Sequence, residues 1–177
     1  MSKLNELNGA DEEQAILLVA PLIERAPNIA KRVVDHRPFQ TSDDLFRAIK
    51  SELLALSEAE LVDLFRGHPE LAPENPLAMT NESQSEQGRL NLNSHHNEHR
   101  ARLSDLNARY REKYGFPFIT ALVRHPSMDS VLEEFQARLT GDRESEIREA
   151  VEQIATVSSS RVRASFGPGD GEATLNP

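Results

Sequence analysis

Apolar residues in this chain recur three and four positions apart, and prolines cut that pattern into short lengths. Leu45, Phe46, Ile49 and Leu53 form one such set. Leu103, Leu106 and Tyr110 form another, followed by Val131, Leu132, Phe135 and Leu139, and by Ile147, Val151, Ile154 and Val157. That spacing lays side chains on one stripe of a helix, whereas a half-buried strand needs strict alternation, and no alternating run is present. Proline removes a backbone donor and turns the preceding residue away from the α region, so Pro21, Pro27, Pro38 and Pro126 act as breaks. Pro69, Pro73 and Pro76 hold residues 67–80 in a loop with little freedom to lose on binding. The pattern predicts an all-α fold, a single domain of about seven or eight short helices over residues 1–164. Gly, Pro and polar residues take over from 165, which predicts a disordered tail over 165–177.

Local signals place the helices. The first ten residues are polar and read as frayed, with Asp11 or a neighbour capping a helix over Ala15, Ile16, Leu17, Leu18 and Val19. Thr41, Ser42, Asp43 and Asp44 offer N-caps and first-turn acids to the Leu45 helix. Ser57-x-x-Glu60 matches a capping box, and Gly67 stops the helix that it opens. Thr80 or Asn81 caps the next helix, which puts Ser83, Glu86 and Gln87 on one face at i, i+3 and i+4. A longer helix is expected from about 93 to 113, with Gly115 as its C′ residue. Phe116-Pro117-Phe118 is too apolar for a surface linker and is expected in the core. Residues 119–123 fit a helical turn or an extended segment equally well.

Twenty Lys+Arg against 29 Asp+Glu give a net charge of −9, which argues against a broad phosphate-binding surface and so against nucleic acid as a partner. Cysteine is absent, which excludes disulfides, thiolate nucleophiles and thiolate metal sites and fits a reducing cytoplasm. Residues 1–13 lack the apolar run of a secretory signal, and no run approaches the ~18 apolar residues that span a bilayer. A soluble cytoplasmic protein without a membrane partner is the expectation. With no Gly-rich phosphate loop, no Gly-x-Ser-x-Gly elbow and no dinucleotide fingerprint, nucleotide-binding and α/β-hydrolase readings lose.

Four groups remain as candidates for chemistry. An ordinary imidazole gives and takes protons near neutral pH, and His68 sits between a helix end and Pro69, where it serves either as an acid/base or as a loop residue bonded to a backbone carbonyl. Ser83, Glu86 and Gln87 offer a hydroxyl, a carboxylate and an amide to a polar planar ligand, or form a solvated helix face. His95 and His99, with His96 and Glu98 between, share the i, i+4 spacing of half a zinc site but lack a third ligand, so no metal is assigned. Arg124-His125 either turns a guanidinium toward a substrate carboxylate or caps the following helix.

Taken in order, His68-Pro69-Glu70-Leu71-Ala72, Thr80-x-x-Ser83-x-x-Glu86-Gln87 and Leu106-Asn107-x-x-Tyr110-x-x-Lys113-Tyr114-Gly115-Phe116-Pro117-Phe118-Ile119 resemble the OHCU decarboxylase family. Those enzymes act on 2-oxo-4-hydroxy-4-carboxy-5-ureidoimidazoline in urate degradation. Glu24-Arg25-Ala26-Pro27, Arg37-Pro38-Phe39, Ala137-Arg138-Leu139 and Glu149-Ala150-x-x-Gln153-Ile154-Ala155 extend the resemblance over roughly residues 15–163. The resemblance implies an all-helical homodimer that needs neither metal nor organic cofactor and yields CO2 and (S)-allantoin. By position His68 resembles the catalytic acid/base, with Glu86 beside it as the second catalytic group. Pro69, Ser83 and Gln87 resemble substrate-binding positions, and Ile119 opens a segment whose backbone meets the ureidoimidazoline and which ends in an Arg. Here that Arg is Arg124, one residue later than the family pattern has it. The alternative is a non-catalytic binding or regulatory paralogue on the same scaffold.

Overall fold

The structure, a computed structural model, describes residues 2–169. Of the tail expected over 165–177, residues 170–177 lie outside the described residues, and the last helix runs on through Phe166. Among the described residues there are nine α-helices and no strand: α1 (Lys3–Gly9), α2 (Glu12–Val19), α3 (Pro27–Val34), α4 (Ser42–Leu54), α5 (Glu58–Arg66), α6 (Asn81–Gly88), α7 (Arg100–Tyr114), α8 (Met128–Arg138) and α9 (Arg143–Phe166). Three single turns of 3-10 helix lie at Ala20–Leu22, Pro76–Ala78 and Leu122–Arg124. The described residues fall into two compact units: 2–57 with 155–169, and Glu58–Ile154.

In the first unit α2 packs on α3 and α3 on α4, around Ala15, Val19, Ile29, Val33, Leu45 and Ile49, all buried. Helix α1 is the element that the polar first ten residues concealed. Ser2 caps it by accepting from Asn5 N at 3.1 Å, and Leu7 is wholly buried. Asn8 exchanges two hydrogen bonds with Phe39, while Arg37 Nη1 donates to the carbonyls of Leu7 and Ala10 at 2.9 and 2.7 Å. A single buried leucine is too little for periodicity to register, and partners some thirty residues away satisfy the helix end. Thr41 and Asp44 form the complete capping box of α4, and Pro27 stands in the first turn of α3, where its missing N–H costs nothing. The far end of α9 closes this unit: Ser158 Oγ donates to Leu22 O at 2.8 Å, and buried Arg161 pairs with buried Glu24 at 2.9 Å.

The second unit is built on aromatic packing. The Phe116-Pro117-Phe118 connection enters the core as expected, with Phe116 and Phe118 each 1% exposed. Phe118 stacks on Phe135 with centroids 3.8 Å apart, and Tyr110 meets Tyr114, Phe116, Phe118 and Phe135 at 4.6–6.0 Å. Gly115, at φ 85°, takes the left-handed conformation that closes α7 and donates its amide to Arg111 O at 2.8 Å.

Helix α7 starts at Arg100, seven residues after the expected position 93. Asn93 Nδ2 donates to Gln84 O and Asn97 Nδ2 to Asn91 O, both at 2.8 Å, while Asn97 Oδ1 accepts from His99 N at 2.8 Å. Short polar side chains that bond nearby backbone offer it an alternative to the helix, and here they hold residues 90–99 in turns. His95 and His99 therefore do not share a helix face.

Candidate active site

Helix α5 ends at Arg66, and the chain turns under Gly67 N to Leu64 O at 3.1 Å and His68 N to Phe65 O at 3.0 Å. His68 is half-buried, and its Nδ1 lies 3.0 Å from Leu64 O. A carbonyl only accepts, so Nδ1 carries a proton, and in the neutral ring the lone pair is then on Nε2. That is the carbonyl bond of the loop-residue reading, and the tautomer it fixes is one that a proton acceptor can also use.

Gln87 anchors the loop that follows. It is 3% exposed, and its amide donates through Nε2 to Glu70 O at 3.0 Å and accepts through Oε1 from Ala72 N at 2.9 Å. Ala72 takes φ 50°, unusual for a residue with a Cβ, and the Gln87 bond lies at that strained amide. From α7, Asn107 Nδ2 donates to Leu71 O at 2.9 Å, and Arg111 Nη1 lies 2.6 Å from both oxygens of Glu70. Thr80 caps α6 by accepting from Ser83 N at 3.2 Å. Ser83 is buried one turn before Gln87, on the same face, and Glu86 is half-buried beside them. Pro69 is half-buried in the loop between.

After the third motif the chain has no regular structure up to Ala121, which is extended, and then makes the 3-10 turn, so 119–123 divides between the two expectations. Ile119 is buried; its carbonyl accepts from Arg138 Nη1 at 2.6 Å, and Ala121 N donates to Gln153 Oε1 at 2.9 Å. Arg138 lies over the Phe118 ring at 4.5 Å and donates through Nε to Glu146 at 2.8 Å, which also accepts from the Tyr110 hydroxyl at 2.6 Å. Burial and the Glu146 hydrogen bond hold the Tyr110 hydroxyl far above its ordinary value. Arg124 directs its guanidinium to Glu134 at 2.5 Å. His125 is 5% exposed, with Nδ1 2.7 Å from Ser130 Oγ and Nε2 3.0 Å from Thr120 Oγ1. Burial pulls the Glu134 carboxyl upward, but the Thr120 hydroxyl and the charges of Arg138, Arg124 and His125 outweigh it and leave Glu134 below its ordinary value.

Helix α6 is tied to the loop after the first motif and to the turn that follows the third. Gln87 ties it to the His68 loop, and Arg89 Nη2, at its C-terminal end, donates to the carbonyls of Leu122 and His125, the latter at 2.9 Å. Among the described residues no group of three His, Asp or Glu side chains is arranged to hold a metal ion.

The sequence profile of the OHCU decarboxylase family matches residues 8–163. The chain belongs to that family. It is similar to the 2-oxo-4-hydroxy-4-carboxy-5-ureidoimidazoline decarboxylase of Halalkalicoccus jeotgali, 30% identical over 168 residues that cover 95% of this chain and 94% of that one. The mouse protein of the same name is 33% identical, with 92% of each chain covered. Among solved structures, (S)-allantoin synthase superposes with a TM-score of 0.70 at 22% identity, over 94% of this chain and 54% of that one. An OHCU decarboxylase solved in the presence of (S)-allantoin gives 0.59 at 15% identity, over 90% of this chain and all of the other. At those identities the two structures speak for the fold.

In this OHCU decarboxylase family member, several side chains around the motifs escaped the sequence reading. Arg138 falls three residues after Phe135, in the apolar register of α8, and Glu146 adjoins Ile147 on α9. A charged residue in the buried register was the available signal for both. Arg89 reads as an ordinary cation at a helix C-terminus, favoured by the dipole, and nothing in the spacing marks its carbonyl partners.

Proposed function

We propose that this chain is a carboxy-lyase that converts 2-oxo-4-hydroxy-4-carboxy-5-ureidoimidazoline to CO2 and (S)-allantoin in urate degradation. Family membership over residues 8–163 carries the reading. His68 is the acid/base that manages the proton of the 4-hydroxyl through Nε2, and its bond to Leu64 O supports that role. Loss of CO2 leaves an electron pair that delocalises into the neighbouring ring imine; a proton then adds to one face of that carbon skeleton. The substrate is its own electron sink, so the scheme calls on no cofactor. Glu86 grips ureido or ring N–H groups, with Ser83, Gln87, Pro69 and the backbone from Ile119 shaping the pocket.

Two of these roles carry a condition. Both ends of the Gln87 amide are engaged by the loop, so its contribution is to hold 70–72 in place unless substrate displaces a bond. Arg124 reaches a substrate carboxylate only by leaving Glu134. A cytoplasmic homodimer belongs to the same proposal, with sedimentation of the purified chain as the check on its assembly.

The test generates the unstable substrate from urate with uricase and hydroxyisourate hydrolase and follows optical activity. Spontaneous decay is racemic; the expected result is a faster reaction with net rotation from (S)-allantoin. Racemic product at the spontaneous rate rejects the reading.

A further inference from the structure

We infer that Arg89 is a positioning residue that sets the gap between the polar face of α6 and the 119–125 segment, and with it the affinity for the ureidoimidazoline. The inference rests on the decarboxylase reading above. Arg89 follows the last residue of α6, two positions after Gln87 and three after Glu86. One nitrogen, Nη2, reaches two carbonyls, Leu122 O at the start of the 3-10 turn and His125 O just beyond its end. A charged donor shared by both makes the turn follow α6 as a unit. The 3-10 turn packs on α6, so the two elements are neighbours as well as bonded.

The other side of the same turn is held differently. The His125 ring is fixed from α8 by Ser130 and Glu134, and Glu134 also takes Arg124 and the Thr120 hydroxyl. Upstream, Arg138 holds Ile119 O and Gln153 holds Ala121 N. Those contacts anchor the segment to α8 and α9, whereas Arg89 anchors it to the helix that carries Ser83 and Glu86. Removing Arg89 therefore leaves the segment folded and loosens its distance from α6. Arg89 is exposed and lines an open cleft of about 650 Å³ with Asn97, His99 and Met128, so an uncharged side chain there is expected to leave no buried cavity.

The experiment compares steady-state kinetics and amide hydrogen exchange of the full chain with Arg89→Met and Arg89→Lys. Arg89→Met is expected to raise KM about tenfold with kcat within about twofold, because ground state and transition state lose the same positioning. Exchange should quicken at 121–125 and stay unchanged in α7. Lysine keeps a cationic donor whose nitrogen stands one bond short of Nη2, a gap that a small shift of its flexible stem closes, and it is expected to return KM to within about threefold of the parent. An unmoved KM in an active Arg89→Met protein overturns this inference alone, and so does a fall in kcat at constant KM, which would assign Arg89 to the chemistry. If Arg89→Met does not fold, failure of the folded Arg89→Lys protein to keep KM near the parent value likewise overturns it. An inactive parent chain removes the decarboxylase reading, and this inference with it.

Discussion

At the scale of single residues, His68 separates structure from chemistry. Asparagine places an amide where Nδ1 stands, so His68→Asn should keep the bond to Leu64 O and lose the titrating nitrogen. The expected outcome is a fall in kcat of about 10²–10⁴ with a melting temperature close to the parent, measured by the optical assay and by calorimetry. Glu134 gives a pH dependence. Its folded-state pKa is depressed, so its contribution is complete above the ordinary carboxylate range and is lost as pH falls through the folded value. Melting temperature followed from neutral pH downward should drop on the acid side, and Glu134→Gln should flatten that limb; identical profiles would contradict the ion-pair account. Tyr110 acts at the opposite end. Its pKa is raised from an ordinary 10.0, so its contribution holds below about pH 10 and declines as the solution becomes more alkaline.

At the scale of elements, both ends of the Gln87 amide tie the loop after His68 to α6. Gln87→Ala removes two hydrogen bonds and leaves Glu70 O and Ala72 N without that partner, a cost of about 2–3 kcal/mol in urea denaturation, with a lower kcat because the turn beside His68 loosens. Gly115→Ala meets no close atom, the nearest being Arg66 Nη2 at 3.9 Å, so the φ of 85° alone sets its cost at about 1 kcal/mol.

The caps of α4 and α6, the Gly115 stop and the burial of Phe116 and Phe118 were legible because each is written in a few adjacent residues. What the sequence hid is of two kinds. Helix α1 depends on distant partners, Arg37 and Phe39, whereas the late start of α7 comes from Asn93 and Asn97 bonding to nearby backbone in competition with the helix. The same division runs through the candidate site: His68, Ser83 and Glu86 stand in short motifs, whereas the carbonyl targets of Arg89 and Arg138 carry no sequence mark.

For the whole molecule, the family fold persists at 15–22% identity to solved structures, so the arrangement tolerates replacement of most side chains. The buried Arg161–Glu24 pair should be among the least tolerant points. Glu24→Ala leaves a guanidinium that is 8% exposed without its carboxylate, and a loss of about 3–5 kcal/mol in chemical denaturation is expected. A loss below about 1 kcal/mol would mean that Arg161 finds another acceptor.

That closure of the first unit also bears on synthesis. Leu22 and Glu24 leave the ribosome 136 and 137 residues before the Ser158 and Arg161 that bind them. At about 5–20 residues per second the N-terminal helices wait on the order of ten seconds for their last packing element. During that interval solvent holds the polar groups of Leu22 and Glu24, so the first unit closes only after all of residues 58–154 have been made.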